Sequence, residues 1–288
     1  MIEKIIRRKL FIQKKKVRFR LKHGYWPNLT HPKKYSEKLL YRILYKRDPH
    51  YKLFGCKLTS PLFARDRTKH DLRFPKQLKV FRELHRGFWK ELPSQFVLKG
   101  SYSSGLNKII RNSSNTDFQP IRRFLNRRVR KKRNSQGVND PHAVIIAEEL
   151  IQAPNGRIPK DYKFHCFRKG NGAFRFILQL DIDRMGNHDQ ILVDEKMNIL
   201  PFSWENMTNV SQELPEVPNF EKMVAISRDL SKNFNYIRLD YYSIEDKVYF
   251  GEFTPFHRAA MSPIPSEEWD YKLGQMWTQD KTNHYFYP

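Results

Sequence analysis

Ile237-Arg238-Leu239-Asp240-Tyr241-Tyr242, followed across a Glu245-Asp246 turn by Val248-Tyr249-Phe250-Gly251-Glu252-Phe253-Thr254, is the stretch that orders the rest of the chain. Branched and aromatic residues dominate both segments, as in a pleated antiparallel hairpin. Alternate residues of a strand share a face, so Arg238, Asp240 and Tyr242 point one way and Ile237, Leu239 and Tyr241 the other. On the partner strand Phe250, Glu252 and Thr254 are expected to share a face. The hairpin thus predicts two carboxylates, an arginine and a hydroxyl on one surface. Paired carboxylates suit Mg2+, a hard cation that fills its remaining positions with phosphate oxygens and water. An ordinary Arg-Asp-Glu ladder across a half-exposed hairpin would carry the same residues.

Upstream of the hairpin, residues 143–147, 162–168, 173–181 and 191–193 are rich in Val, Ile, Phe and Tyr and read as strands. Residues 219–233 read as an amphipathic helix through Phe220, Met223, Val224, Ile226 and Leu230. Alternation over 161–167 sets Asp161, Lys163 and His165 on one face and Tyr162, Phe164 and Cys166 in the core. The N-terminal half reads differently. Helices are predicted over 1–22, from Pro32 through Leu44, over 76–92 with a stop at Pro93, and over 121–134. A short β-rich run, Gln95-Phe96-Val97-Leu98-Lys99, leads into Gly100-Ser101-Tyr102-Ser103-Ser104-Gly105. Helices first and mainly antiparallel strands afterwards predict the α+β class.

The 288 residues are 39% hydrophobic and 14% aromatic, which excludes a disordered chain. Charge is the unusual quantity: the formal net charge is +24. Residues 1–134 hold 38 Lys and Arg against 8 Asp and Glu, a net +30, whereas residues 135–288 hold 16 against 22, a net −6. An anionic partner for the first half is expected. Cys56 and Cys166 sit in no zinc-binding or disulfide spacing, and a reducing compartment is expected. No run approaches the roughly 18 apolar residues of a membrane span. Residues 1–22 instead form a basic amphipathic pattern with Ile2, Ile5, Ile6 and Leu10, read either as a helix on an anionic membrane surface or as one packed on the domain.

Two further patterns carry chemistry. A lysine ending a strand before a Gly/Ser loop, as at Lys99 to Gly105, can hold phosphates through its ammonium and through backbone N–H groups; a plain turn is the alternative. Ile145-Ile146-Ala147-Glu148-Glu149-Leu150-Ile151 is an apolar strand running into acids and out again, which fits a hinge reading a nucleobase and ribose, or an edge strand with solvated glutamates.

In this linear order the chain resembles the TupA-like ATP-grasp family, associated with teichuronopeptide and cell-surface polysaccharide synthesis. The resemblance is carried by Lys33-Lys34-Tyr35-Ser36-Glu37-Lys38, by Leu92-Pro93-Ser94-Gln95-Phe96-Val97-Leu98-Lys99, by Glu148-Glu149, by Asp161-Tyr162-Lys163-Phe164 with Cys166-Phe167, and by Tyr249-Phe250-Gly251-Glu252-Phe253-Thr254. It spans roughly residues 25–277. It implies an ATP-grasp fold, with two α+β subdomains of mainly antiparallel sheets gripping ATP. The organisation expected is a basic helix over 1–24, a helical region over 25–92, the N-terminal subdomain over 93–147, the C-terminal subdomain with the metal site over 148–277, and a tail over 278–288.

The resemblance also implies roles. Lys99, Gly100, Ser101, Ser103, Ser104 and Gly105 would hold ATP phosphates, and Glu148, Glu149, Leu150 and Ile151 would form the adenine hinge. Lys163 would neutralise the transferring phosphate, and Arg238 would stabilise an acyl-phosphate. Asp240 and Glu252 would hold Mg2+, with Thr254 where many relatives carry Asn. An Asp-Lys pair common ahead of the lysine strand is replaced by Ala64-Arg65-Asp66-Arg67-Thr68-Lys69, so Arg67 or Lys69 would supply that cation. The implied reaction is ATP- and Mg2+-dependent carboxylate–amine ligation, joining an amine or amino acid to a uronic-acid-bearing glycan or lipid-linked precursor. The implied setting is cytoplasmic, at the inner face of the membrane. Two rivals differ in class. A basic nucleic-acid-binding protein explains the charge but not the ordered lysines and carboxylates. A transferase on the same fold finds only Asp181-Ile182-Asp183 as a metal motif.

Overall fold

The computed structural model describes residues 2–45, 48–102, 106–134, 142–170, 172–182, 189–204 and 213–279. The helical start comprises α1 (Ile2–His23), α2 (Tyr35–Tyr45), α3 (His50–Gly55) and α4 (Thr59–Arg65). Then follow β1 (Leu72–Arg73), β2 (Gln77–Phe81), β3 (Phe96–Gly100), β4 (Lys108–Ile110), α5 (Phe118–Asn134) and β5 (Ile145–Glu148). The remainder holds β6 (Asp161–Arg168), β7 (Phe174–Ile182), β8 (Asp189–Val193), α6 (Phe220–Leu230), β9 (Tyr236–Ile244), β10 (Lys247–Thr254) and α7 (Glu267–Gln275).

Two sheets result. The large one runs β1-β10-β9-β6-β7-β8 and the small one β2-β5-β3-β4, every pairing antiparallel except β1 with β10. The helix expected over 76–92 is not there. Gln77–Phe81 is a strand paired with β5, and only Phe88–Glu91 turns, as a short 3-10 segment. The apolar residues of this stretch fit a helical period locally. Pairing overrides it, because Phe81 then enters the same core as Phe96, Leu98 and Ile145.

The small sheet is covered on one face by α5, whose Phe118, Leu125 and Val129 pack on Phe96, Leu98 and Ala147. Its opposite face, with Val80 and Ile109 more than a third exposed, is open. The large sheet is covered on both faces. Tyr162, Phe164, Cys166, Leu239 and Tyr241 pack against Met223, Ile226 and Leu230 of α6 on one side. On the other, Phe167, Ile177 and Tyr236 pack under α2, α7 and Phe19 of α1. That second covering stops part of the way along the strands, and beyond it the same face is polar.

The covering is locked by the Lys33–Lys38 segment. Glu37 accepts the backbone N–H groups of Asn28, Lys33 and Lys34 at 2.8, 3.1 and 3.1 Å, satisfying donors at the start of α2. Ser36 binds Asp270 of α7 through both its N–H and its hydroxyl. Lys38 Nζ donates to the Gly274 and Trp277 carbonyls, each at 2.6 Å. At Gly274 a Cβ would overlap the Lys33 carbonyl, so α2 and α7 meet there only because glycine leaves room. Arg42 Nη1 reaches the Tyr236 carbonyl at 2.7 Å and ties α2 to β9. Both cysteines are free and buried.

Candidate active site

The polar part of the large sheet is a direct product of register. Lys163 stands opposite Asp240 and His165 opposite Arg238, while Glu252 pairs with Asp240 and Thr254 with Arg238. Side chains that are distant in sequence therefore converge on one face. The expected sharing of that face by Phe250 is corrected. A bulge between Phe250 and Glu252 turns Phe250 into the core beside Tyr241 and returns Glu252 to the polar side. The bulge needs glycine, because a Cβ at Gly251 would lie 2.8 Å from the Asp240 carbonyl oxygen.

Arg238 is the centre of the group. Its Nε and Nη2 bind the two Asp240 oxygens at 2.6 and 2.7 Å, and Nη2 also reaches Glu252 Oε1 at 3.0 Å. Thr254 donates its hydroxyl to the same Glu252 oxygen at 3.2 Å. Such a forked, charge-assisted arrangement fixes orientation as well as charge. Burial pushes Asp240 up to about 6, with Arg238 pulling the other way and Glu252 adding to the rise. Glu252 is held below the ordinary range: burial opposes ionisation there, but Arg238, Lys57 and the Thr254 hydroxyl outweigh it. Two carboxylates and a hydroxyl, all hard oxygen donors on adjacent strands, fit Mg2+. Among the described residues no group of three or more His, Cys, Asp and Glu gathers as a metal cluster. An ion here would therefore need phosphate or water oxygens as well.

Beside this group, Lys163 pairs with Asp181 and, at 3.3 Å, with Asp161. Behind it runs a chain of hydrogen bonds whose direction can be deduced. A carboxylate only accepts, so Gln179 presents its Nε2 to Asp181 Oδ1 (2.7 Å) and its Oε1 to His165 Nε2 (3.1 Å). His165 Nε2 must then carry the proton, and burial followed by the nearby Arg238 charge keeps the ring neutral, its pKa well below the ordinary imidazole value. Nδ1 consequently accepts from the Tyr236 hydroxyl (3.0 Å), which accepts from Tyr35 (2.7 Å), which accepts from His257 Nδ1 (3.3 Å). Every donor in the chain points toward Asp181, and so toward the carboxylate that holds Lys163.

Lys99 projects from the open face of the small sheet and pairs with Glu148 across the β3–β5 ladder. A cleft lies between the sheets. Val97, Lys99 and Ile109 line it from the small sheet, Glu149, Leu150 and Ile151 from the segment after β5, and Tyr242 from β9. The mostly apolar lining, with Lys99 and Glu149 as its charged members, suits an aromatic base. Glu149 Oε1 accepts the Lys76 N–H at 2.8 Å, so one side of that carboxylate ties the end of β5 to the start of β2. Gly100 ends β3, and Ser101 is buried, its hydroxyl accepting from Val144 N–H at 3.0 Å to close the sheet edge. Ser103, Ser104, Gly105 and Asp183 lie outside the described residues. Asp181 of the Asp-x-Asp motif is engaged by Lys163.

Arg67 and Lys69 are not brought to this face. Arg67 stacks over Phe63 at 3.6 Å, and the neighbouring Thr68 binds Asp229 of α6, behind the large sheet. After Arg238, the next cation that bears on Glu252 is Lys57, whose backbone N–H also donates to the Ser101 carbonyl at 2.8 Å. Lys57 was missed because it stands alone between two short helices with no pattern around it. Tyr242 and Ile109 were missed as cleft walls for a different reason: alternation assigns them a face but not the void which that face borders.

Several solved structures share the fold. D-alanine–D-alanine ligase from Helicobacter pylori is 16% identical, with a TM-score of 0.50 over 85% of this chain and 69% of that one. N5-carboxyaminoimidazole ribonucleotide synthetase from Thermus thermophilus is 10% identical, with a TM-score of 0.40 over 72% and 46%. D-alanine–D-alanine ligase from Bacillus anthracis, complexed with ATP, is 13% identical, with a TM-score of 0.42 over 71% and 55%. This chain spans about half the length of the last two, at 46% and 55%. Identities this low speak to fold alone, and of the three only the first reaches a TM-score of 0.50. No curated protein matches the chain. A family model described as TupA-like ATPgrasp matches residues 37–278, which takes in both sheets, most of α2 and all of α7, and by that match the chain belongs to the TupA-like ATP-grasp family.

Proposed function

We propose that the protein is an ATP- and Mg2+-dependent carboxylate–amine ligase: ATP phosphorylates a substrate carboxylate, and an amine displaces the phosphate. The observation that carries the reading is the register that sets Lys163, Arg238, Asp240 and Glu252 on one face, on strands next to Tyr242 and the largely apolar cleft it lines. Val97, Ile109 and Tyr242 would enclose the base, with the backbone at Leu150 and Ile151 reading its edge. Lys99 and Lys163 would meet phosphate oxygens, each exchanging a carboxylate partner for the nucleotide. Asp240 and Glu252, aided by Thr254, would hold Mg2+, which supplies positive charge to the transferring phosphoryl group when bound. Arg238, fixed by two carboxylates, would then face the acyl-phosphate oxygens as a prepositioned cation. Positioning and charge suffice for such a transfer, and no enzyme nucleophile is required.

For substrates we propose a uronic-acid-bearing surface glycan, or its lipid-linked precursor, as the carboxylate acceptor, with an amino acid or simple amine as the nucleophile, handled at the inner face of the cell membrane. The support is the excess of cations over residues 1–134 and the family membership. The test supplies Mg-ATP with uronate-containing acceptors and an amino-acid pool, and measures ADP and phosphate for the unmodified chain, Asp240→Asn and Glu252→Gln. Acceptor-dependent ADP release that both variants lose is expected. Absence of ATP binding, or variants indistinguishable from the parent, would end the ligase reading.

A further inference from the structure

The N-terminal helix α1 carries two apolar faces, and only one of them is used. Phe19 is fully buried and belongs to the core under α2, Ile12 packs against the same core, and His23 stacks on Phe19 at 3.7 Å. His23 Nε2 also lies 3.1 Å from the Ala260 carbonyl oxygen. These residues fall on one narrow side of the helix. At 100° per residue the centre of a second stripe, Ile6, Leu10, Val17 and Leu21, lies roughly 150° around from it. These four are 51, 56, 45 and 79% exposed. A helix held by one side and apolar on the opposite side presents the second stripe away from the body of the protein, where a flat surface can reach it.

What flanks the stripe identifies its partner. Arg7, Lys14 and Arg18 run along one edge and Lys9 and Arg20 along the other, all exposed. The single acidic residue of the helix, Glu3, is paired with Arg7 at 2.6 Å. A protein partner covering the stripe would have to answer both cationic edges at once. An anionic bilayer does so without special design: the apolar side chains enter the acyl boundary while the long basic side chains spread outward to the headgroups. No helix of the described residues is long and apolar enough to cross a membrane, so the arrangement is one of lying on the surface. We infer that α1 is a membrane-surface helix that docks on anionic phospholipid through Ile6, Leu10, Val17 and Leu21, with Arg7, Lys9, Lys14, Arg18 and Arg20 at the headgroups. The inference deepens the membrane setting proposed above and needs no part of the ligase chemistry.

Co-sedimentation of the full chain with equimolar phosphatidylglycerol–phosphatidylcholine vesicles, against pure phosphatidylcholine vesicles and without nucleotide, tests it. Binding to the anionic vesicles alone is expected, weakening as salt is raised. The combined variant Ile6→Ser, Leu10→Ser, Val17→Ser, Leu21→Ser should bind at least about tenfold more weakly. So should Arg7→Glu, Lys14→Glu, Arg18→Glu, which keeps the apolar stripe and separates lost contact from lost helix. Leu10→Trp adds an independent measurement: a blue shift of emission on anionic vesicles that the unsubstituted chain does not show. Absence of binding by the unmodified chain overturns the inference, as does undiminished binding by the serine variant. A concentration-dependent dimer that the serine substitutions abolish also overturns it, by showing that a second copy covers the stripe. Failure here leaves acceptor-dependent ADP release untouched, so the two proposals fall separately.

Discussion

The two sheets carry contrasting surfaces. The small sheet presents Val97 and Ile109 with one ion pair, Lys99–Glu148, on the face opposite α5. The large sheet presents Lys163, Arg238, Asp240, Glu252 and Thr254, each held by a second or third group, over a hydrogen-bonded chain that reaches α2 and the turn after β10. A sparse apolar surface tolerates sliding of whatever rests on it. A braced polar one fixes charges before a ligand arrives, and prepositioned charge needs no reorganisation during reaction. Under the proposed function the difference would separate holding a nucleoside from acting on its phosphates, and like-for-like substitutions would then have unlike effects on the two sides.

The largest effect tests that division directly. Lys163→Met should lower the rate of ADP formation at least about 100-fold with modest change in apparent ATP affinity, because the group acts on charge that develops in the transition state. Lys99→Met should act mainly on binding, weakening ATP by about tenfold, the size of one charge-assisted hydrogen bond. Steady-state kinetics with varied ATP distinguish the two. Equal losses in the same parameter would erase the proposed division of labour.

Stability should divide the same way. Gly251→Ala places a Cβ against the Asp240 carbonyl, and the bulge must shift to admit it. A loss of about 2 kcal/mol in denaturant unfolding is expected, with Asp240 displaced. On the small sheet Ile109→Ala removes a side chain that is 45% exposed, and should change stability by less than about 0.5 kcal/mol while still weakening nucleotide binding. If Gly251→Ala is as mild as Ile109→Ala, the bulge does not depend on glycine.

The asymmetry also governs how much could be read from the residues alone. Period-2 patterning placed Lys163 and His165 opposite Phe164 and Cys166, and Arg238 and Asp240 opposite Leu239 and Tyr241, because a strand buried on one face and polar on the other declares both. The pattern did not foresee the bulge at Gly251, which shifts one strand by a residue and leaves composition unchanged. It misread 76–92 because an edge strand beside a short 3-10 turn has too few residues to express a period, and partner pairing decides its form. Lys33-Lys34-Tyr35-Ser36-Glu37-Lys38 stood out as a motif, yet most of its side chains brace α2 against α7; of these, only Tyr35 joins the chain toward Asp181. That difference is invisible without knowing where Asp270 and Gly274 lie.

The smallest effect concerns acid, and its sign follows from which state binds protons. His165 and His257 have pKa values held well below the ordinary imidazole range, in both cases first by burial, then by Arg238 for His165 and by His165 itself for His257. The unfolded chain therefore takes up protons that the folded chain refuses, so their stabilising contribution is complete above about pH 6.5 and declines below it. Asp240 works oppositely. Burial raises it to about 6, so its contribution is present below the ordinary carboxylate range and lost as pH rises through about 6. Between about pH 6.5 and 6 only the histidines act, and stability should fall with acidification; below about 6 the aspartate partly compensates. Asp240→Asn removes the compensation, and its acid limb should steepen below pH 6 while the limb above is unchanged. Hydrogen-exchange protection should locate the loss: as pH falls from neutral, amides of β6 and β9 should lose protection before those of β3 and β5, because the refusing histidines touch only the large sheet's network. Protection lost equally in both sheets, or an acid limb identical in Asp240→Asn, would mean that the buried chain beneath Lys163 does not set the acid response.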